Sequence, residues 1–173
     1  MQRNPYLLAS LVLIVGASAY LSTAWSREEG REPPPLPLAM PEGYRDWTLI
    51  SVAHEEGDLD DIRAILGNDI AVNAYRNGVL PFPDGTILAR LAWKYVESEE
   101  NNTIFGRRQS WIAGDLTDVQ FMVKDATKFA ADGGWGFSQF DDGVPVDEAL
   151  TRSCVPCHLP TIARDGVFTR YAR

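Results

Sequence analysis

Cys154-Val155-Pro156-Cys157-His158 places two thiols three positions apart and an imidazole directly after the second. The chain holds only two Cys and two His, so this one pentapeptide takes up both thiols and one of the imidazoles. Random placement of those residues would give the arrangement with a frequency on the order of 10⁻⁴, so the spacing carries information. It is the C-x-x-C-H arrangement of c-type haem attachment. Each thiol can add to a vinyl group on one edge of a porphyrin, and the adjoining imidazole can reach the iron from one face.

Three rival chemistries use the same residue types. A thioredoxin-type redox pair normally follows a strand near the start of its domain, whereas this pair stands near the C-terminus with His directly behind it. Two Cys are too few for a four-cysteine zinc site, and a mixed site would need His54 to join Cys154, Cys157 and His158 without the usual His spacing. A structural disulfide would leave His158 unexplained. Covalent haem c accounts for all three residues, with Cys154 and Cys157 as thioether donors and His158 as the axial iron ligand.

An electron carrier usually fills the sixth iron position with Met or His. Met40 falls in a Pro-rich linker, which leaves Met122 and His54 as the distal candidates. Each also has an ordinary reading as a core or surface residue. Their scarcity favours an iron with one face open, suited to a small molecule. Arg90 and Lys94 are then the candidate catalytic cations, because they interrupt one face of the most apolar strand pattern in the chain. The same two residues also fit an ordinary solvent-facing pair. Arg63 raises the same question, and the carboxylates Asp147 and Glu148 stand just upstream of the motif with solvation as their default.

These groups must be positioned by a modest domain. The 173 residues are 45% hydrophobic and carry a net charge of −8, which argues against nucleic acid as a partner, since phosphate binding rests on clustered Lys and Arg. Residues 1–24 read as a signal peptide or an N-terminal anchor. No residue from Asn4 to Ser26 is charged, Arg3 precedes the apolar stretch, and Ala17-Ser18-Ala19 offers a small-x-small cleavage pattern. The uncharged run also reaches the roughly 20 residues that cross a bilayer, so a membrane association exists only if the leader is retained. Either reading exports the remainder, to the periplasm of a bacterium, where haem c is attached. Residues 25–43 form a Pro-rich linker, with Pro33, Pro34, Pro35, Pro37 and Pro41 among charged side chains.

Residues 44–173 are expected to form a single domain without internal repeats. Trp47 to His54 and Ile62 to Leu66 read as strands, the latter with a helical turn as its alternative. Asn68 caps a helix over residues 69–77 that Gly78 stops. The turn Pro81-Phe82-Pro83-Asp84-Gly85 launches a strand from Thr86 to Val96. There Ile87, Ala89, Leu91, Trp93 and Tyr95 face one side, and Leu88, Arg90, Ala92, Lys94 and Val96 the other. Glu97 to Gln109 reads as a loop that includes a chance-level sequon at Asn101. Strands follow at Val119 to Lys124, Trp135 to Phe140 and Val167 to Tyr171, with short helices at Ala126 to Ala131 and Val146 to Ser153. The fold class is α+β, predominantly an antiparallel β-sheet with a few short helices and haem attached near the C-terminus.

Taken in order, several blocks resemble the cytochrome P-460 family. They are Tyr44-Arg45-Asp46-Trp47, Ile65-Leu66-Gly67-Asn68-Asp69, Pro81 to Ala89, Gln120-Phe121-Met122-Val123-Lys124-Asp125, Gly133-Gly134-Trp135-Gly136-Phe137, and Cys154 to His158 followed by Val167-Phe168-Thr169. The resemblance spans nearly the whole domain. It implies a largely antiparallel fold, a homodimer, and one haem held by two thioethers and a proximal His, roles that fall on Cys154, Cys157 and His158. It also implies action on a small nitrogen ligand or substrate. Some family members oxidise hydroxylamine and pass electrons to a redox partner protein, and cytochrome c′-beta relatives bind nitric oxide or carbon monoxide at an open iron. The enzymes join a lysine to the porphyrin rim. If that position falls on Lys94 the cross-link is available, and if it falls on Arg90 the primary amine is missing and a permanently charged guanidinium stands in its place.

Overall fold

The computed structural model describes residues 39–172. The expected leader, and the expected linker up to residue 38, lie outside the described residues. Among the described residues no helix is long and apolar enough to cross a membrane. The architecture is α+β. Six strands form one antiparallel sheet in sequence order, β1 (Thr48–Glu55), β2 (Asp61–Gly67), β3 (Ile87–Glu97), β4 (Trp111–Lys124), β5 (Trp135–Asp141) and β6 (Val144–Pro145).

Each strand returns beside the one before it, so the alternation read in β3 is transmitted across the sheet by register. Arg90 stands opposite Ile65 of β2 and Gln120 of β4, and Leu88 stands opposite Gly67 and Met122. Ala89 and Leu91 face the other way, into a core of Tyr44, Leu66, Val119, Phe121 and Phe140. Leu88 faces a second core with Ala71, Ala74, Phe82, Trp135 and Val167, against which Met122 and Phe137 pack. The sheet therefore has an apolar layer on both faces, and β3 contributes to each.

Helix α1 (Asp69–Asn77) covers part of the second face. Asn68 ties it to the sheet: its Oδ1 accepts the N–H of Ala71 at 3.0 Å and of Ile87 at 3.1 Å, while Nδ2 donates to Gly85 O at 2.9 Å. The cap satisfies an N-terminal amide, an effect of about 1 kcal/mol, and fixes where β3 begins. Gly78 closes the helix in the left-handed region at φ 64°. The β2 segment is a strand, not a helical turn.

Four local expectations are corrected. Within the expected loop, Glu99–Phe105 is helix α2: Ser98 accepts the Asn101 N–H, Glu99 and Glu100 occupy the first turn, and Gly106 ends it. Ala126 to Ala131 is turn followed by a 3₁₀ turn at Ala130–Asp132. Asp125 Oδ1 accepts from Thr127 and Lys128, but Phe129 N–H returns to Asp125 O and Gly134 N–H also returns to Phe129 O, which closes the segment at one turn. Val167 to Tyr171 forms no strand, and just beyond it Ala172 N–H donates to Ile50 O of β1 at 2.9 Å. The expected helix at Val146 to Ser153 is the shorter α3 (Glu148–Arg152), capped by Asp147.

Candidate haem site

Cys154 leads directly into α4 (Val155–His158), which carries Cys157 and His158, and a 3₁₀ segment at Leu159–Arg164 follows. One helical turn thus carries Cys157 and His158 with Cys154 at its N-terminus, and the His158 and Cys157 amides both bond back to Cys154 O at 3.2 Å. Both thiols are free; Cys154 is half-buried and Cys157 exposed. Burial pushes the Cys154 thiol up, the nearby Cys157 adds to this, and the charge of Arg90 pulls weakly the other way.

The imidazole of His158 is held on three sides. Nδ1 lies 2.7 Å from Gly166 O, and the rings of Phe137 and Phe168 each stand 4.9 Å away, centroid to centroid. A carbonyl can only accept, so Nδ1 carries the proton and Nε2 keeps its lone pair free for a metal. Burial lowers the His158 pKa, partly opposed by the Gly166 bond, which favours this neutral form. A donor nitrogen oriented through its other nitrogen, beside two thiols on one turn, is the ligand set that haem c requires.

Phe137 places His158 on the same sheet face as Leu88, Met122 and Trp135. Arg90 occupies that face one step along β3 and is half-buried among carboxylates. It donates to Asp118 Oδ1 at 2.6 Å and also bonds Asp61, whose other oxygen accepts from Arg63 Nη2 at 2.6 Å. Gln120 donates to Gln139 Oε1 at 2.8 Å, and Gln139 donates to Asp141 at 2.9 Å. A polar row thus crosses β2 to β5 beside the apolar row that meets His158. Burial raises the Asp118 carboxyl, with Arg90 and the Thr117 hydroxyl pulling it down and Asp141 and Asp61 pushing it up.

The other candidates lie elsewhere. The Lys94 side chain is 63% exposed and approaches only Asp115, at 3.7 Å. His54 stands opposite Ile62, in the row of Trp93 on the first-core face, where it stacks on Tyr95 at 3.8 Å. The sheet separates it from His158, so it neither completes a zinc site nor faces an iron held by His158. Met122 does share the face of His158, packed among the second-core residues. Arg63 belongs to the polar row. Asp147 caps α3, and Glu148 pairs with Arg152 in solvent. Asp61, Asp118 and Asp165 carried no signal in the sequence, and Lys124, Phe137 and Phe168 stood there only inside the blocks of the family resemblance, with no role of their own.

A protein-family model described as Cytochrome P460 matches residues 41–169. No curated protein matches the chain. The match runs from the segment just before Tyr44, over all six strands and through the C-x-x-C-H turn to Thr169, about three quarters of the full sequence. The match covers well over half of the chain, and the chain belongs to the cytochrome P460 family, a haem-binding family.

Proposed function

We propose that the protein is an exported mono-haem c-type cytochrome that acts on a small nitrogen compound, hydroxylamine or nitric oxide, at an open haem face. Cys154 and Cys157 would hold the haem covalently and His158 Nε2 its iron. The observation that carries this reading is the Nδ1–Gly166 bond, which presents Nε2 as a donor while the second histidine of the chain, His54, lies across the sheet. Bound haem would supply a redox-active iron that takes up a nitrogen ligand and exchanges electrons with a partner protein.

The chain supplies charge and proton management. Arg90 holds a positive charge beside the motif, and its effect reaches Cys154. Asp118, buried against Arg90, is the carboxylate on this face best placed to accept a proton from a bound nitrogen compound. Gln120 and Gln139 extend the polar row toward solvent-facing Asp141.

Turnover and simple binding are separated by a lysine. Lys94 points into solvent with Asp115, and the buried cations of the row are Arg90 and Arg63, neither of which has a primary amine. That arrangement favours the second reading, in which nitric oxide is bound without turnover. A homodimer is supported by Leu49, Val52 and Leu116, exposed on the first-core face, where a second copy would cover them. Export to the periplasm is supported by the uncharged N-terminal run and by the chemistry of haem c attachment.

Intact mass and absorption spectra of the purified protein test the reading. The expected mass includes one haem, and Cys154→Ser with Cys157→Ser removes it. A mass without haem in the parent overturns the proposal. Hydroxylamine-dependent reduction of an added acceptor selects turnover, nitric oxide uptake without reduction selects binding, and a six-coordinate spectrum indifferent to carbon monoxide overturns the open face.

A further inference from the structure

Lys124 is the one lysine among the described residues whose side chain is almost wholly buried, with 5% of its surface exposed. Its ammonium donates to Asp165 Oδ1 at 2.7 Å and to Gly133 O at 3.1 Å, and lies 5.0 Å from the Trp135 ring centroid. Asp165 is nearly as buried, at 10%, and is held from three more directions. Its Oδ2 accepts the Phe82 N–H at 2.8 Å, its carbonyl accepts Trp135 Nε1 at 2.6 Å, and its own N–H reaches Ile162 O at 2.9 Å.

Removing two opposite charges from water is costly, and a buried pair of this kind adds little net stability over an apolar replacement. Its geometry suggests a use instead. Asp165 and Gly166 are consecutive left-handed residues, with φ 52° and 76°. The left-handed region is unfavourable for a residue with a Cβ, so Asp165 needs outside fixation. Lys124, Phe82 and Trp135 provide it. The next carbonyl along, Gly166 O, is the acceptor of His158 Nδ1.

We infer that the buried Lys124–Asp165 pair is a positioning device for the axial imidazole: it locks the Asp165-Gly166 turn so that Gly166 O holds the Nδ1 proton of His158. The inference rests on His158 as the iron ligand. The carbonyl makes the imidazole a stronger donor through Nε2, as partners of a ligating histidine do generally. A stronger donor favours ferric over ferrous iron. Lys124 and Asp165 touch no substrate in this account and act only through His158.

The test is the haem-loaded full chain in three forms: parent, Asp165→Asn, and Lys124→Met with Asp165→Asn. Asn keeps the size and left-handed tolerance of Asp, and the double variant leaves no unpaired charge, so it folds even where the single one does not. The expected result is a reduction potential raised in the double variant, on the order of tenfold toward ferrous, or about 59 mV for one electron, with a lowered iron–histidine stretching frequency in the ferrous state. A double variant with full haem, the parent potential and the parent stretching frequency overturns the inference, whatever its melting temperature. A parent that carries no haem on Cys154 and Cys157 overturns the proposed function, and this inference with it.

Discussion

Arg90 donates to Asp118 across the β3–β4 ladder at 2.6 Å and to Asp61 across the β3–β2 ladder, so one guanidinium joins three strands on the face that carries His158. The Asp61 side chain is 4% exposed and that of Arg90 14%. A planar fork of donors suits this two-sided bridge, with Nη1 on Asp118 and Nη2 on Asp61.

Arg90→Leu leaves Asp61 and Asp118 facing an apolar side chain, with Arg63 as the remaining cation at Asp61. Loss of one partner from a buried pair costs about 3–5 kcal/mol. Urea unfolding of the haem-loaded protein should show a loss in the lower part of that range, because Arg63 still neutralises Asp61. A loss under about 1 kcal/mol would mean that the network is solvated and does not hold the three strands.

The Asp118 shift has a pH signature. Its carboxyl is raised above the ordinary 3.8 in the folded protein, chiefly by burial. The folded state then binds the proton more tightly than the unfolded one. Its contribution to stability is fully present below about pH 4 and is lost as pH rises through the higher folded value. Asp118→Asn removes this loss, so the variant should gain on the parent between acid and neutral pH. Denaturation midpoints at both ends check it, and a gap that is constant or widens in the parent's favour toward neutral pH refutes it.

Sequence legibility followed the range of the interactions. The α1 cap lies within one turn and the alternation of β3 within one strand, and both were readable, as was the C-x-x-C-H pattern within five residues as a motif. The α2 helix was hidden because Ser98-Glu99-Glu100-Asn101 is polar throughout, although Ser98 and Gly106 are ordinary helix boundaries. Val167 to Tyr171 has strand composition, but the chain makes a single backbone bond to β1 there, Ala172 N–H to Ile50 O, and no ladder, which a single-strand pattern cannot report. Arg90 and Lys94 looked equivalent at a separation of four. Only the side-chain contacts show that Asp61 and Asp118 close around the first, while the second, although opposite Asp61 in register, reaches solvent. Lys124 and Asp165 are 41 positions apart, and nothing in either local sequence announces the other.

Gly134 offers a test of the packing behind the haem site. Its φ is +83°, and an added Cβ would sit 3.0 Å from Lys124 Nζ and 3.2 Å from Ala126 Cα. The lysine end can move, but only away from its buried bonds, and the Ala126 backbone cannot. Gly134→Ala should therefore destabilise by about 1–3 kcal/mol and shift the potential in the direction of the Lys124 variants. Thermal unfolding with voltammetry measures both. A stable Gly134→Ala protein would show that the turn relaxes without disturbing Lys124.

Met122 shares the face of His158 but packs between Leu88 and Phe137 in the second core. Met122→Leu conserves volume, so it should cost less than about 1.5 kcal/mol and leave the ferric and ferrous spectra unchanged. A change from six-coordinate to five-coordinate spectra on that substitution would identify Met122 as the sixth ligand and establish electron transfer over small-molecule chemistry.

Lys94 decides between turnover and binding. Its side chain is 63% exposed, and its Asp115 partner, at 3.7 Å, is 88% exposed. Such a pair contributes little, so Lys94→Ala should change stability by under about 0.5 kcal/mol. A covalent bond to the porphyrin rim would have a different consequence. Proteolysis of the haem-loaded parent would then release the β3 peptide joined through haem to the Cys154–Cys157 peptide, and the substitution would separate them and shift the ferrous Soret band. The exposure of Lys94 and the ion-paired Arg90 predict the opposite: a haem peptide containing only the C-terminal segment, and a ferrous spectrum identical in parent and variant. A joined peptide would place the primary amine at the ring edge despite its exposure and would restore the oxidising reading over simple nitric oxide binding.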